Sequence, residues 1–397
     1  MERESPNTRF KFPNKSRSIF RNPFARSSIA KLAFLAAGLF VIKLLNQEQI
    51  ESKRLREVVP PGHSREVGRN FLADETQDYK LYEKQRRFPD VLIVGASKCG
   101  GNVLKHYLHG NPYFVHSNVE EPHFFDNIVN FRKGPQSYLD IMPKVYPYHR
   151  VFESTPRYFS TKYVPGRVYD FDPNMKIIIV VCDPILRALA HYFAAESTKI
   201  VNGEEHLLPR NFAFTATTAE EGLMASINNI FPSVVVEMMQ TDPSFSTEDV
   251  RDLMHQYLHK NGDRKPANFL TRGAYGYHIQ HWFKYFPRDQ VLIINESDLR
   301  REPWKIMNKV QVFTDVDQLV DISSFVKKES SGWYCLQGKK EDQAPNCAIS
   351  DPLDNSRQKI HDEFTPQTRQ VLSKIFNSVE DDLTEVLGHK FKFVREK

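Results

Sequence analysis

Cysteine is scarce in this chain, with four residues among 397, and tryptophan scarcer still, with three. No second Cys or His pair stands at metal-ligand spacing, which argues against a zinc site. No Gly-Lys-Ser/Thr tripeptide occurs, so a Walker phosphate loop is absent and a nucleotide kinase is disfavoured. No stretch joins dense basic residues to a nucleic-acid motif. A net charge of +5 on a chain of this size is ordinary and does not by itself imply a polyanionic partner. Internal repeats are also missing. What remains is the composition of a folded protein, 40% hydrophobic and 12% aromatic, long enough for one large domain or two ordinary ones.

The N-terminus carries the longest apolar run. Residues 1–31 hold eight Lys or Arg against Glu2 and Glu4, and residues 32–42 are then uninterruptedly apolar. With its flanks the run spans 29–45, the short end of the roughly 17–25 residues of a membrane helix. The alternatives are a signal peptide and a buried helix. The basic region is too long for the first, and no small-x-small cleavage site follows Leu45. The expectation is therefore a transmembrane signal-anchor at 29–45. The positive-inside rule places the tail 1–28 in the cytosol and the rest in a lumen. A short span suits the thinner membranes of the early secretory route. The polar segment 46–87 reads as a stem, and residues 88–397 as the lumenal domain. In a lumen, Cys335 and Cys347 read as a disulfide-closed loop, two free thiols being the alternative. Asn295-Glu296-Ser297 is a glycosylation sequon, and Asn14-Lys15-Ser16 a second one on the cytosolic side.

Within the domain, "PDVLIVGASKCGGN" joins four apolar residues to a small-residue turn containing Lys98. Val103, Leu104, Tyr107 and Leu108 follow at helical spacing, so the segment reads as strand, anion-binding loop, helix. A plain strand-to-helix turn is the alternative. Further strands are expected at 150–153, 176–181 and 290–294, with helices at 185–196 and 275–286. This alternation predicts an α/β fold, a central parallel sheet with helices on both faces. Residues 197–270 break it and read as a helical or loop insertion. Ligands of such sheets bind at the carboxyl ends of the strands. Lys98, Ser154, Thr155, Arg157, Cys182, Asp183 and Arg187 follow predicted strands and would face one cleft. A second cluster, "EEPHFFD" at 120–126, sets Glu120, Glu121, His123 and Asp126 beside two phenylalanines. A carboxylate there suits a general base, unless the charges are merely solvated.

Six segments now occur in a telling order: "PDVLIVGASKCGGNVL", "EEPHFFD", "FESTPRYF", "KIIIVVCDPILRALAHY", "RGAYGYHIQHWFKYFPRDQVLIINESDLRREP" and "GWYCLQGKKEDQAPNC". Together they resemble the Golgi sulfotransferases that modify heparan sulfate glucosamine, of the 3-O and N-sulfotransferase type. The resemblance covers roughly residues 88–350. It implies the sulfotransferase fold with a P-loop-like phosphosulfate-binding loop, and a Golgi type II membrane protein. It implies sulfuryl transfer from 3′-phosphoadenylyl sulfate (PAPS) to a glucosamine hydroxyl or amine of a glycosaminoglycan, with no metal. Lys98 would stabilise the leaving phosphate oxygen, Glu121 would be the base and His123 its neighbour. Cys99, Gly100, Gly101, Asn102, Cys182, Ala190 and Arg357 take cofactor-site positions. Asp126 and Arg157 are candidate acceptor contacts, with Arg132 and Lys133 beside them. The chain also departs from the pattern. Gly101 replaces a hydroxyl residue, Cys182 an arginine and Ala190 a serine of the 3′-phosphate site, and Ser154 a lysine. Two readings stay open, an active enzyme and a catalytically impaired relative that binds glycan or a partner enzyme.

Overall fold

The computed structural model describes residues 83–197, 200–201, 204–205, 218–262, 269–328, 333–338, 344–347, 364–391 and 393. The expected anchor, tail and most of the stem lie outside them, as does Arg357. Among the described residues no single helix is long and apolar enough to cross a membrane.

The first strand, β1 (Val91–Gly95), is buried at every position, the pattern of a parallel strand covered on both faces. It leads through residues 96–100 into α1 (Gly101–Leu108), which buries Val103, Leu104, Tyr107 and Leu108. Gly100, at φ 81°, is the left-handed residue that starts this helix. Then come β2 (Phe114–His116), β3 (Arg150–Ser154) and β4 (Lys176–Val181). The helix α2 (Pro184–Ser197) follows β4. Asp183 starts it, its carboxylate accepting from the N–H groups of Ile185 and Leu186.

The insertion is helical: α3 (Ala219–Ile230), α4 (Ser233–Thr241) and α5 (Thr247–Asn261). Thr218 and Ser246 cap α3 and α5 through their hydroxyls. Next are α6 (Tyr275–Phe283), β5 (Val291–Asn295), α7 (Glu296–Arg301), the small pair β6 (Phe325–Lys327) and β7 (Tyr334–Leu336), and α8 (Pro366–Leu387).

The strands β2-β3-β1-β4-β5 form one five-stranded sheet, and every pair in it is parallel. The fold is α/β. All five strands therefore end on the same edge. Strand order reverses direction at β1, and such a switch point opens a crevice beyond the carboxyl ends.

Two apolar cores share the work. The larger joins the sheet to α1, α6 and part of the C-terminal helix. The smaller is built by α3, α4, α5 and α8 around Leu223, Met239, Val250 and Ile375. At the seam, Asp382 of α8 pairs with His255 of α5 at 3.0 Å and lies against Gly276 of α6. A Cβ at Gly276 would stand 2.3 Å from an Asp382 carboxylate oxygen. Gly276→Ala is therefore expected to destabilise the domain by about 1–3 kcal/mol, the range for overpacking a core. Thermal unfolding should show a drop of several degrees. In the Gly276→Ala/Asp382→Ala double variant the loss should be smaller than the sum of the two single losses.

Candidate functional site

The Glu121 loop follows β2. Glu121 and His123 both hold left-handed backbone, at φ 42° and 50°. Such conformations are unfavourable for residues other than glycine and persist where surrounding contacts over-determine them. Here those contacts are on view. The Tyr158 hydroxyl accepts from the N–H groups of Phe124 and Phe125, at 2.9 and 3.3 Å. Arg167 donates to the Phe125 carbonyl and Tyr163 to the Asp126 carbonyl, each at 2.7 Å. Asn130 donates to the carbonyls of Pro122 and His123. Phe124 and Phe125 are buried, stacked on or edge-on to Tyr138. The phenylalanines thus plug the core while the polar residues between them are presented outward.

Tyr158 is itself held from below by Glu153 of β3. This carboxyl group is wholly buried and also accepts from Tyr138 at 2.9 Å and Thr155 at 2.7 Å. Burial pushes its pKa up to about 7, partly offset by the hydrogen bonds from Thr155, Tyr138 and Tyr158.

The four polar residues of the cluster divide. Glu120 pairs with Lys105 of α1. Glu121 stands half exposed, 3.4 Å from His123 Nε2. The other imidazole nitrogen, Nδ1, lies 3.0 Å from Asp126. Asp126 is 1% exposed, so its carboxylate faces inward and also meets Arg157 Nε at 3.4 Å. Its hydrogen bond, then that of Glu121, raises the His123 pKa to about 9. At neutral pH the imidazole is a cation between two acids and cannot serve as a base. Glu121 differs: one carboxylate oxygen is steadied by His123 while the side chain stays half exposed. Arg132 and Lys133 are exposed on the next helical turn.

The Lys98 loop follows β1. Lys98 sits there at φ 69°, half-buried, ahead of the first N–H groups of α1. Those groups have no partner within the helix and make the start of a helix attractive to anions. Beyond β4, α2 brings the wholly buried Arg187 and also His191, whose Nε2 is 3.5 Å from Arg272. Burial, then the charges of Arg272, Arg187 and Lys98, hold the His191 pKa far below its usual value. His191 is neutral beside these three cations, with the buried carboxylates of Asp183 and Glu296 near Arg187 as well. Among the described residues no cluster of His, Cys, Asp or Glu is arranged to hold a metal ion.

Several expected site residues are placed differently from a simple contact list. Cys99 and Cys182 are both 0% exposed and are joined to each other by a disulfide of 2.06 Å. The Cys99 N–H is turned back to the Ala96 carbonyl at 3.3 Å. Neither cysteine offers a thiol to a ligand. Ala190 is buried, whereas in the first turn of α1 Gly101 is half-buried and Asn102 exposed. Ser154 and Thr155 are buried too. Cys335 and Cys347 form a second disulfide. Asn295 caps α7, its side-chain oxygen accepting from Ser297.

Sequence reasoning missed the Cys99–Cys182 bond, the Tyr158–Glu153 support and the role of Tyr275. The Tyr275 hydroxyl of α6 donates to the Cys182 carbonyl at 2.8 Å. The available signal was weak: one cysteine just beyond each of two apolar strands, useful only once those strands are known to be neighbours.

The cationic state of His123 carries a titration signature. Its raised pKa means the ion-paired form is complete below about 6.5 and is lost as pH climbs through about 9. Asp126→Asn removes the largest cause, so His123 should titrate at clearly lower pH. An NMR titration of labelled histidines should resolve this shift, and an unchanged His123 curve would remove Asp126 from the network.

Residues 88–385 match the family model described as the sulfotransferase domain. Human heparan sulfate glucosamine 3-O-sulfotransferase 5 is 24% identical over 312 residues, covering 79% of this chain and 76% of that protein. Human heparan sulfate glucosamine 3-O-sulfotransferase 6 is 27% identical over 263 residues, 66% of this chain and 63% of that protein. A crystal structure of a sulfotransferase from Alicyclobacillus acidocaldarius aligns with 77% of this chain and 98% of its own, at TM-score 0.49 and 17% identity. With its parallel sheet, its Lys98 loop and a family match over most of the domain, the chain belongs to the sulfotransferase family.

Proposed function

We propose that this protein is a PAPS-dependent carbohydrate sulfotransferase, transferring a sulfuryl group to a glucosamine hydroxyl or amine of heparan sulfate or a similar glycan. It acts in the Golgi lumen, held by a single type II anchor at 29–45. The observation that carries this reading is the arrangement at the carboxyl edge of the sheet: a lysine at a helix start on one loop, a carboxylate steadied by an imidazolium on another.

The residues present fit the phosphosulfate end of the donor. Lys98 and the first N–H groups of α1 are the right donor set for an anionic oxygen, with Gly101 and Asn102 in that helix's first turn. PAPS, when bound, supplies a sulfuryl group on a good leaving phosphate. Lys98 is placed to stabilise the negative charge that grows on the bridging oxygen. Glu121 takes the proton that the acceptor loses on attack. His123 stays protonated and orients Glu121, while Asp126 holds His123 and the half-exposed Arg157. Arg157, Arg132 and Lys133 supply positive charge toward a sulfated chain. Arg187 and Arg272 give the donor side a positive field where Cys182 and Ala190 supply no charged contact.

A second reading is favoured by one observation. Cys182 and Ala190 are buried and carry no phosphate-binding group, which fits a glycan- or partner-binding protein that no longer transfers sulfate. Calorimetric titration of the full chain with PAPS separates the two, since the enzyme must bind it saturably. In the enzyme, transfer of labelled sulfate to desulfated heparan fragments should fall about 10²–10³-fold in Lys98→Ala. Glu121→Gln should lower it about 10²–10⁴-fold. Undiminished transfer in both variants would remove these roles.

A further inference from the structure

The loop that carries Lys98 is tied at its middle. Cys99, the next residue, is bonded to Cys182, 83 positions away at the end of β4. The other attachments of residues 96–100 are modest. Ala96 donates to the Val180 carbonyl at 2.7 Å, and the Cys99 N–H makes the long 3.3 Å bond back to Ala96. Gly100 accepts from the first turn of α1. Cys182 Sγ stands 3.7 Å from the Lys98 carbonyl oxygen. Tyr275 closes the rear, its hydroxyl 3.4 Å from Cys99 Sγ. Meanwhile Lys98 holds a left-handed backbone that a side chain disfavours. A loop with a disfavoured residue and few hydrogen bonds relaxes unless something restrains it. The one covalent restraint is on the neighbouring residue.

We propose that the Cys99–Cys182 disulfide is a positioning element of the donor site, holding Lys98 in its left-handed conformation so that the anion seat is formed before a donor arrives. Binding to a preformed seat escapes the ordering cost that a relaxed loop would add. The link to donor binding rests on reading Lys98 as the donor-side lysine; the restraint on the loop does not.

The test uses the full chain with Cys99→Ala/Cys182→Ala, and Cys335→Ala/Cys347→Ala as a disulfide control. Two quantities are read: amide hydrogen exchange of residues 96–102 without ligand, and calorimetric affinity for adenosine 3′,5′-bisphosphate. In the first variant, exchange of the loop should rise about tenfold or more while that of residues 176–181 is unchanged. Affinity should fall about tenfold, equivalent to about 1.4 kcal/mol. The control should leave both quantities at the wild-type value. Unchanged loop exchange overturns the proposal whatever the affinity. Faster loop exchange with wild-type affinity overturns the link to donor binding. Faster loop exchange in a protein whose wild type ignores the probe sustains the restraint and sinks the proposed function instead. Should the first variant not fold, Cys99→Ala/Cys182→Val refills the buried strand end. If that also fails to fold, the bond is a general staple and the positioning role is overturned.

Discussion

The parallel pairing of β1 between β3 and β4 is the constraint from which the site follows. Val91, Leu92 and Ile93 pair with Phe152, Glu153 and Ser154 on one side. On the other side Leu92 and Ile93 pair with Ile177 and Ile178, and the register then shifts before Gly95. Parallel strands place all their exits on one edge. The Lys98 loop, the Arg157 turn and the start of α2 therefore leave the sheet as neighbours although they lie far apart in sequence. Gly95 is where the approach is closest. It holds φ 136°, and a Cβ there would come within 2.6 Å of the Pro156 carbonyl oxygen and 2.8 Å of Phe159 Cβ. Only glycine lets the donor loop and the Arg157 turn diverge from so tight a root.

On that edge the charges are sorted by the work each side must do. On the proposed reading, transfer puts growing negative charge on the donor's bridging oxygen and requires a proton to leave the acceptor. The edge beyond β1 and β4 collects Lys98, Arg187 and Arg272 around a neutral His191. The acceptor side puts a single imidazolium between two carboxylates. Its support runs inward in steps: Glu121 on His123, His123 on buried Asp126, and the loop backbone through Tyr158 on Glu153. Each step is less exposed than the one before. Charge near solvent is thereby held in place by groups that cannot move without disturbing the core, which is what a preorganised site needs.

Much of this was legible in the sequence, and the reasons differ by element. The runs at β1 and β4 are apolar throughout because both faces are covered, so they announce themselves. The Lys98 loop and the Glu121–His123–Asp126 cluster are local in sequence, so spacing alone groups them. Three-residue β2 is too short to leave a periodic pattern. Within the insertion, helix was one of two options, and the Thr218 and Ser246 caps decide it only once the helices are seen. Glu153 was hidden because its meaning comes from burial, and it sits in a strand like any other alternating residue. The Cys99–Cys182 bond was hidden because it depends on which strands pair. The same two cysteines, read as separate departures from the family, concealed that they are one feature.

That joint feature changes how the departures weigh. A hydrogen bond to a charged group contributes about 1.5–3 kcal/mol, so on the PAPS-binding reading the arginine and serine contacts that the resemblance implies and this chain lacks would be worth about 3–6 kcal/mol. Keeping one left-handed residue in place offsets only about 1–2 kcal/mol. Preorganisation alone does not close the gap. The remainder falls to the positive field of Arg187 and Arg272, or it shows as weaker donor binding. Wholesale decay of the site predicts something else, a loop that loses its lysine, its glycines and its support together. Here Lys98 is present, Gly100 holds its left-handed turn, and the Cys99–Cys182 bond stands at the strand end. On the proposed reading, the loop's shape is held by that covalent bond where the charged contacts implied by the family resemblance are lacking.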